Sequence, residues 1–404
     1  SWYQRVSAPA GVYIIYGARR GKPIRKDVMQ PKAARNIPIE ALLLVAVAGI
    51  AVFHTFQWTF QATCVGAVEY APLAIFPYSG ALGFINLLGC WANEVFFMIS
   101  GYFLIASAAR AWDGGATWKS QMQRTAQRLG KVIMPTAFYC LVALAWPTVV
   151  SPIPDVTLNT HYWYTLGLEF IWVYAATVFM APWFVLAKSR LPQKTYKTTV
   201  IAVSILAFVV NGYLAAMSAT SAGEFSWFQK LMSATTYVVA FLIGGLLRDV
   251  TDVMDSDRAG ALGMRSLVTF LVLTIILEGG LSFTGNLTAM ATLSYKSTSL
   301  ISFALAAASL LFAATPRSAS GNPRTAGIIV TLSTATLGFY VMQSLTSSLW
   351  RPVFNTLLAN ILVSQNSPAA ICIITGTVIS IVFALTLLTI DAARSLIARK
   401  PKRQ

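Results

Sequence analysis

Apolar residues run in blocks of about twenty along almost the whole chain, separated by short polar or basic connectors. A helix needs roughly 20 such residues to cross hydrocarbon about 30 Å thick. Blocks of that kind lie near 37–57, 82–107, 131–150, 162–187, 198–217, 232–247, 264–285, 297–314, 326–350 and 368–391. The pattern predicts an all-α integral membrane protein with about ten transmembrane helices in one bundle. Composition agrees: 56% of residues are hydrophobic and 11% charged, with a mean hydropathy of +0.64. A soluble domain of this length would carry far more charge.

The membrane domain is expected over 35–391, between a basic N-terminal extension (1–34) and a basic tail (392–404). Within the extension the patch Val12-Tyr-Ile-Ile-Tyr16 is too short to span, and no secretory signal is read there. It reads as a cytoplasmic, amphipathic surface segment.

The net charge of +16 changes the picture only through its distribution. With both termini placed inside, 27 of the 30 Lys and Arg fall on the inner side, and Lys230, Lys296 and Arg351 on the outer. That bias is the positive-inside rule for an even number of spans, with cytoplasmic termini in a plasma or inner membrane. The charge therefore orients the protein in a lipid bilayer, and nucleic acid is not expected as a partner. Four cysteines show no metal-binding spacing, and no metal site is expected. Cys140 and Cys372 read as packing residues, whereas Cys64 and Cys90 leave a disulfide open. The loop near 58–81 is aromatic and proline-bearing, a candidate cover over a site.

Polar groups inside the spans carry the candidate chemistry, because such groups are costly in hydrocarbon. His54, one of two histidines, ends the first apolar run about 28 Å along a helix from Arg35, near the outer membrane face. An imidazole there is either a proton-handling group or an interfacial residue bonded to water or backbone. Glu40 precedes it by 14 residues, within about 40° on the same helical face. Glu94, Glu169 and Glu278 also sit in apolar surroundings, and His161 opens the fourth span among Tyr162, Trp163 and Tyr164, an ordinary aromatic belt. Arg124, Arg128 and Lys131 lead into the third span at helical spacing. They read either as snorkelling cations or as a cluster for the phosphates of a cytosolic nucleotide-like cofactor. Ser100-Gly101 reads as a close helix approach.

Taken in order, these stretches resemble membrane acyltransferase family 3, integral-membrane O-acyltransferases of cell-surface glycans and lipids. The resemblance rests on Glu40 to His54 in the first span, and on Phe96-Phe-Met-Ile-Ser-Gly-Tyr102 in the second. It continues through Arg124 to Pro135, then His161-Tyr-Trp-Tyr164 with Tyr174 and Pro182, Phe241-Leu-Ile-Gly-Gly245, and Leu337-Gly-Phe-Tyr-Val-Met-Gln343. Two positions depart from the family pattern. Its first-span arginine is Leu43 here, and its late histidine is Gln343. Arg35 is too far along the helix to replace the former, which leaves a loop arginine.

The resemblance implies transfer of an acyl group, most often acetyl, from cytosolic acyl-CoA to a hydroxyl of an extracytoplasmic glycan or glycolipid. His54 would be the general base and Glu94 its orienting carboxylate, with His161, Glu169, Tyr340 and Gln343 as further catalytic candidates. Arg124, Arg128, Lys131, Glu40, Ser100 and Tyr102 would serve the acyl-CoA side, Tyr102 being also a candidate oxyanion donor. The rival reading is a transporter of a solute or polysaccharide without acyl-transfer chemistry. The oligomeric state is left open.

Overall fold

The computed structural model describes residues 36–149, 167–218, 226–293, 299–315, 322–364 and 368–398. The N-terminal extension and His161 lie outside the described residues. Among those residues the fold is all-helical, without strands.

The first helix, α1 (Ile37–Cys64), starts where Asn36 caps it, its Oδ1 accepting from the Ile39 amide at 3.3 Å with Pro38 in the first turn. It runs ten residues, about 15 Å, beyond His54. His54 therefore sits within a helix wall and not at its outer end, because Thr55 to Thr63 continue the buried face that the apolar run begins. A short 3-10 turn (Val68–Leu73) folds Tyr70 and Leu73 back into the core.

The long α2 (Tyr78–Asp113) is the hub: 72% of its apolar window is buried, against 11% for α7 (Ser256–Phe283). It packs against α1, α4 (Glu169–Arg190), α6 (Ser226–Val253), α7, the short α8 (Leu287–Leu293) and α9 (Leu300–Ala314). Its crossing with α6 is the tightest in the bundle. A Cβ on Gly101 would collide with the carbonyl of Phe241, and one on Gly244 with that of Met98. Only glycine lets the two backbones meet, as close helix contacts in membranes demand. Helices α5 (Gln193–Ser218) and α7 turn apolar side chains such as Ile205, Leu206, Ile275 and Ile276 outward. That is the arrangement of a multi-pass protein whose solvent is lipid.

Seven described helices are long and apolar enough to cross a membrane, or eight if one bent pair counts as a span; ten were expected. One expected span falls short: α9 has only 15 residues, about 22 Å. The one near 131–150 forms the second half of α3 (Trp118–Val149), where several side chains lie outside the described residues.

The expected span at 326–350 is instead broken into α10 (Pro323–Ser333) and α11 (Thr336–Leu345), bent by 44°, and continues as α12 (Ser347–Ser364). At the first break Ser333, Thr334 and Thr336 all turn their hydroxyls onto carbonyls of the preceding turn, a known cause of helix bending. At the second, the carbonyl of Gln343 takes the indole N–H of Trp350 at 3.0 Å. The last helix, α13 (Pro368–Ala398), runs antiparallel to α12, whose Trp350 and Phe354 meet Phe383 while Leu358 and Leu362 cluster with Cys372.

Lysines and arginines gather at one end of the bundle. There Lys188 pairs with Asp249 at 2.6 Å, Arg248 with Asp252 at 2.8 Å, and Arg394 with Asp391 at 2.7 Å.

Candidate active site

At the end opposite those ion pairs, a cavity of about 820 Å³ opens between α1, α2, α4, α6, α11 and α12. His54 lies on its wall, with Gln57, Asn93, Glu169, Lys230, Tyr237, Tyr340 and Arg351. The size suits a small organic ligand, and the polar groups converge on it.

The rotation of α1 that aims His54 inward is fixed from two sides. Its neighbour Thr55 accepts a hydrogen bond from Ser380 of α13 at 2.8 Å. On the other flank, the ring of Phe53 fills the space left by Gly89 of α2. His54 Nδ1 is 3.3 Å from Nη2 of Arg351. A guanidinium can only donate, so in this contact Nδ1 accepts and the ring proton resides on Nε2. The break between α11 and α12 brings Arg351 here, and its guanidinium also lies 5.5 Å from the Trp350 ring. The floor is formed by Tyr340, stacked on Phe170 at 4.6 Å, its hydroxyl directed at Asn93 Oδ1 (3.4 Å). Asn93 Nδ2 in turn donates to Tyr237 at 2.9 Å.

The family model for the Acyltransferase domain matches residues 39–387. The chain belongs to this acyltransferase family. Comparison with curated proteins and with solved structures gave no match. Membership makes the protein a membrane acyltransferase, and it favours acyl transfer over the solute-transport alternative.

Within this acyltransferase the anticipated residues fall into three groups. His54, Glu169 and Tyr340 share the cavity wall. Glu94 does not join them. It is fully buried, and its Oε2 accepts from Ser302 of α9 at 2.9 Å. The 100° step from Asn93 turns it away from the cavity, so it cannot orient His54 as expected. Gln343 is also buried off the cavity wall, and its carbonyl anchors Trp350. Glu278 is buried against Gly83 of α2 and does not line the cavity.

The third group lies toward the basic end. Asn93, Ser100 and Ser107 form a stripe on α2 at seven-residue spacing, about 20 Å long. Ser100 is 3.4 Å from the Tyr174 hydroxyl, and Ser107 accepts from Arg128 Nη2 at 3.0 Å. Between Asn93 and Ser100 an aromatic layer of Phe96, Phe170, Tyr174 and Tyr340 closes the stripe. Tyr102 bonds Thr251 at 2.9 Å under the Arg248 guanidinium, away from the cavity. Arg124 and Lys131 are exposed on α3, and Glu40 is in the first turn of α1; none lines the cavity. Cys64 and Cys90 carry free thiols, so the disulfide left open by the sequence is not formed.

Gln57, Asn93, Lys230, Tyr237 and Arg351 are wall residues the sequence did not assign to the site, and Arg351 is the cation among them that reaches His54. It was counted as an outer-loop cation, and α12 was not anticipated. The available signal was the apolar spacing of Leu358, Ile361 and Leu362 after Pro352, which marks a buried helix face beyond the expected loop.

Proposed function

We propose that the protein is an O-acyltransferase that moves an acyl group, acetyl in the simplest case, from acyl-CoA at the basic end to a hydroxyl of a glycan or glycolipid in the cavity opposite. The observation that carries this reading is His54 on the wall of a polar cavity within an acyltransferase domain. Charge asymmetry supports a cytosolic basic end, hence a cytosolic donor and an extracytoplasmic acceptor.

His54 acts as general base, a role imidazole suits near neutral pH. Its Nδ1 takes the proton of the acceptor hydroxyl as the oxygen attacks the thioester carbonyl. The C–S bond then breaks, the ester forms, and the proton passes from the ring to the departing CoA thiolate. Tyr340 turns its O–H from Asn93 Oδ1 to donate to the developing oxyanion. Arg128, with Arg124 and Lys131, meets the phosphates of the donor. The stripe Asn93–Ser100–Ser107 is the route for the thioester arm, and the rings of Phe96 and Tyr174 move aside to admit it.

The reading is tested by incubating liposomes holding the purified protein with labelled acetyl-CoA and a glycan and glycolipid fraction of the cell envelope. Label is expected in the acceptor with the wild type and absent with His54→Ala. Equal labelling by both proteins removes His54 from the chemistry.

A further inference from the structure

Arg351 is an unusual cation for this fold. The ion pairs at the basic end join Lys188, Arg248 and Arg394 to aspartates. Arg351 lies half-buried on the cavity wall, and among the described residues no carboxylate is within ion-pairing distance of it. Its Nε is buried and has no hydrogen-bond partner. Among the described residues its one polar side-chain contact is the neutral acceptor His54 Nδ1, at 3.3 Å. That is long beside the 2.7–2.9 Å usual for a guanidinium bonded to an anion. A guanidinium removed from water without a counter-charge is costly unless something in the working site supplies one. The open side of the group is the cavity itself.

We propose that Arg351 receives an anionic group, a carboxylate or a phosphate, on the acceptor that enters this cavity. The inference rests on the cavity being the acceptor site of the acyltransferase. Arg351 lines the cavity with a planar guanidinium, whose forked N–H donors match a carboxylate or phosphate. The anion is a stronger acceptor than an imidazole lone pair. Its arrival draws Nη2 off His54, and the vacated Nδ1 becomes the acceptor for the substrate hydroxyl. One arginine thus selects an acidic acceptor and uncovers the base only when that acceptor is bound. A neutral sugar leaves Nδ1 covered.

The chain has two histidines, so protein with 15N-labelled histidine gives two sets of ring signals, and the set lost in His54→Ala is that of His54. The full-length protein in lipid nanodiscs is titrated with glucuronate, glucose 6-phosphate and glucose at constant ionic strength. A shift of the His54 Nδ1 signal with glucuronate alone identifies a carboxylate acceptor, with glucose 6-phosphate alone a phosphate, and with both a site for either. In Arg351→Gln the half-saturating concentration is expected to rise about tenfold or more, the scale of one lost charge-assisted hydrogen bond. Arg351→Lys is expected to recover part of the affinity. A melting temperature close to that of the wild type in each variant shows that the bundle is folded. Equal shifts with glucose, or anion shifts unchanged in Arg351→Gln, overturn the proposal. Acyl transfer by a protein whose His54 signals ignore both anions overturns this inference alone. Anion-responsive His54 signals in a protein without transfer support it and leave the acyl-transfer reading to fail separately.

Discussion

Asn93 and Glu94 are neighbours on α2, yet they serve opposite sides of it. Asn93 faces the cavity and bonds Tyr237 and Tyr340, whereas the carboxyl of Glu94 is buried against Ser302 of α9. The consequence is specific. Glu94→Gln keeps a hydrogen-bonding group toward Ser302 and is expected to retain most acyl transfer. Were Glu94 the carboxylate that orients His54, the same change would cost on the order of a thousandfold or more in turnover. Comparing kcat for the two proteins decides the point.

Trp350 holds the turn that delivers Arg351. Its indole N–H is bonded to the Gln343 carbonyl. Trp350→Phe keeps most of the ring packing against Phe383 but leaves that carbonyl unpaired, a loss of about 1–3 kcal/mol. Melting of the purified protein should fall accordingly. Transfer should fall further than the melting shift explains, because α12 no longer sets the position of Arg351 beside His54.

The glycines at the α2–α6 crossing have no substitute. Gly101→Leu and Gly244→Leu each place a side chain into the opposing backbone. Overpacking costs roughly 1–3 kcal/mol where side chains can give way, and here the obstacle is main chain. Both variants are expected to lose thermal stability in detergent, whereas Gly212→Leu, whose Cβ meets nothing, should not.

Much of the architecture was legible because membrane helices announce themselves by length and apolarity. The second-span stretch from Phe96 to Tyr102 was informative because it joins a close helix crossing, at Gly101, to the aromatic layer and to the polar stripe. His54 stood out as a rare polar group in an apolar run. What the sequence did not reveal is what depends on tertiary contact. Arg351 and His54 are 297 residues apart, and no local pattern links them. The breaks at Ser333–Thr336 and after Leu345 were hidden because hydroxyl side chains bend a helix without interrupting its hydropathy. The role first given to Glu94 failed on helical geometry, since adjacent residues differ by about 100° and only one of the pair can face the cavity.

At the basic end, Arg128 is tied to Ser107 on the polar stripe of α2. Arg128→Ala is expected to raise the KM for acetyl-CoA about tenfold, the scale of one charge-assisted contact. The KM for the acceptor should stay unchanged, because the acceptor cavity lies at the other end of the bundle.

The central claim is that donor and acceptor meet from opposite faces of one membrane domain. It is tested most directly with sealed proteoliposomes sorted for protein whose basic end faces the lumen, loaded with labelled acetyl-CoA and given acceptor only outside. The account predicts label on the external acceptor with the wild type and none with His54→Ala. Transfer only when donor and acceptor are supplied on the same face would contradict it.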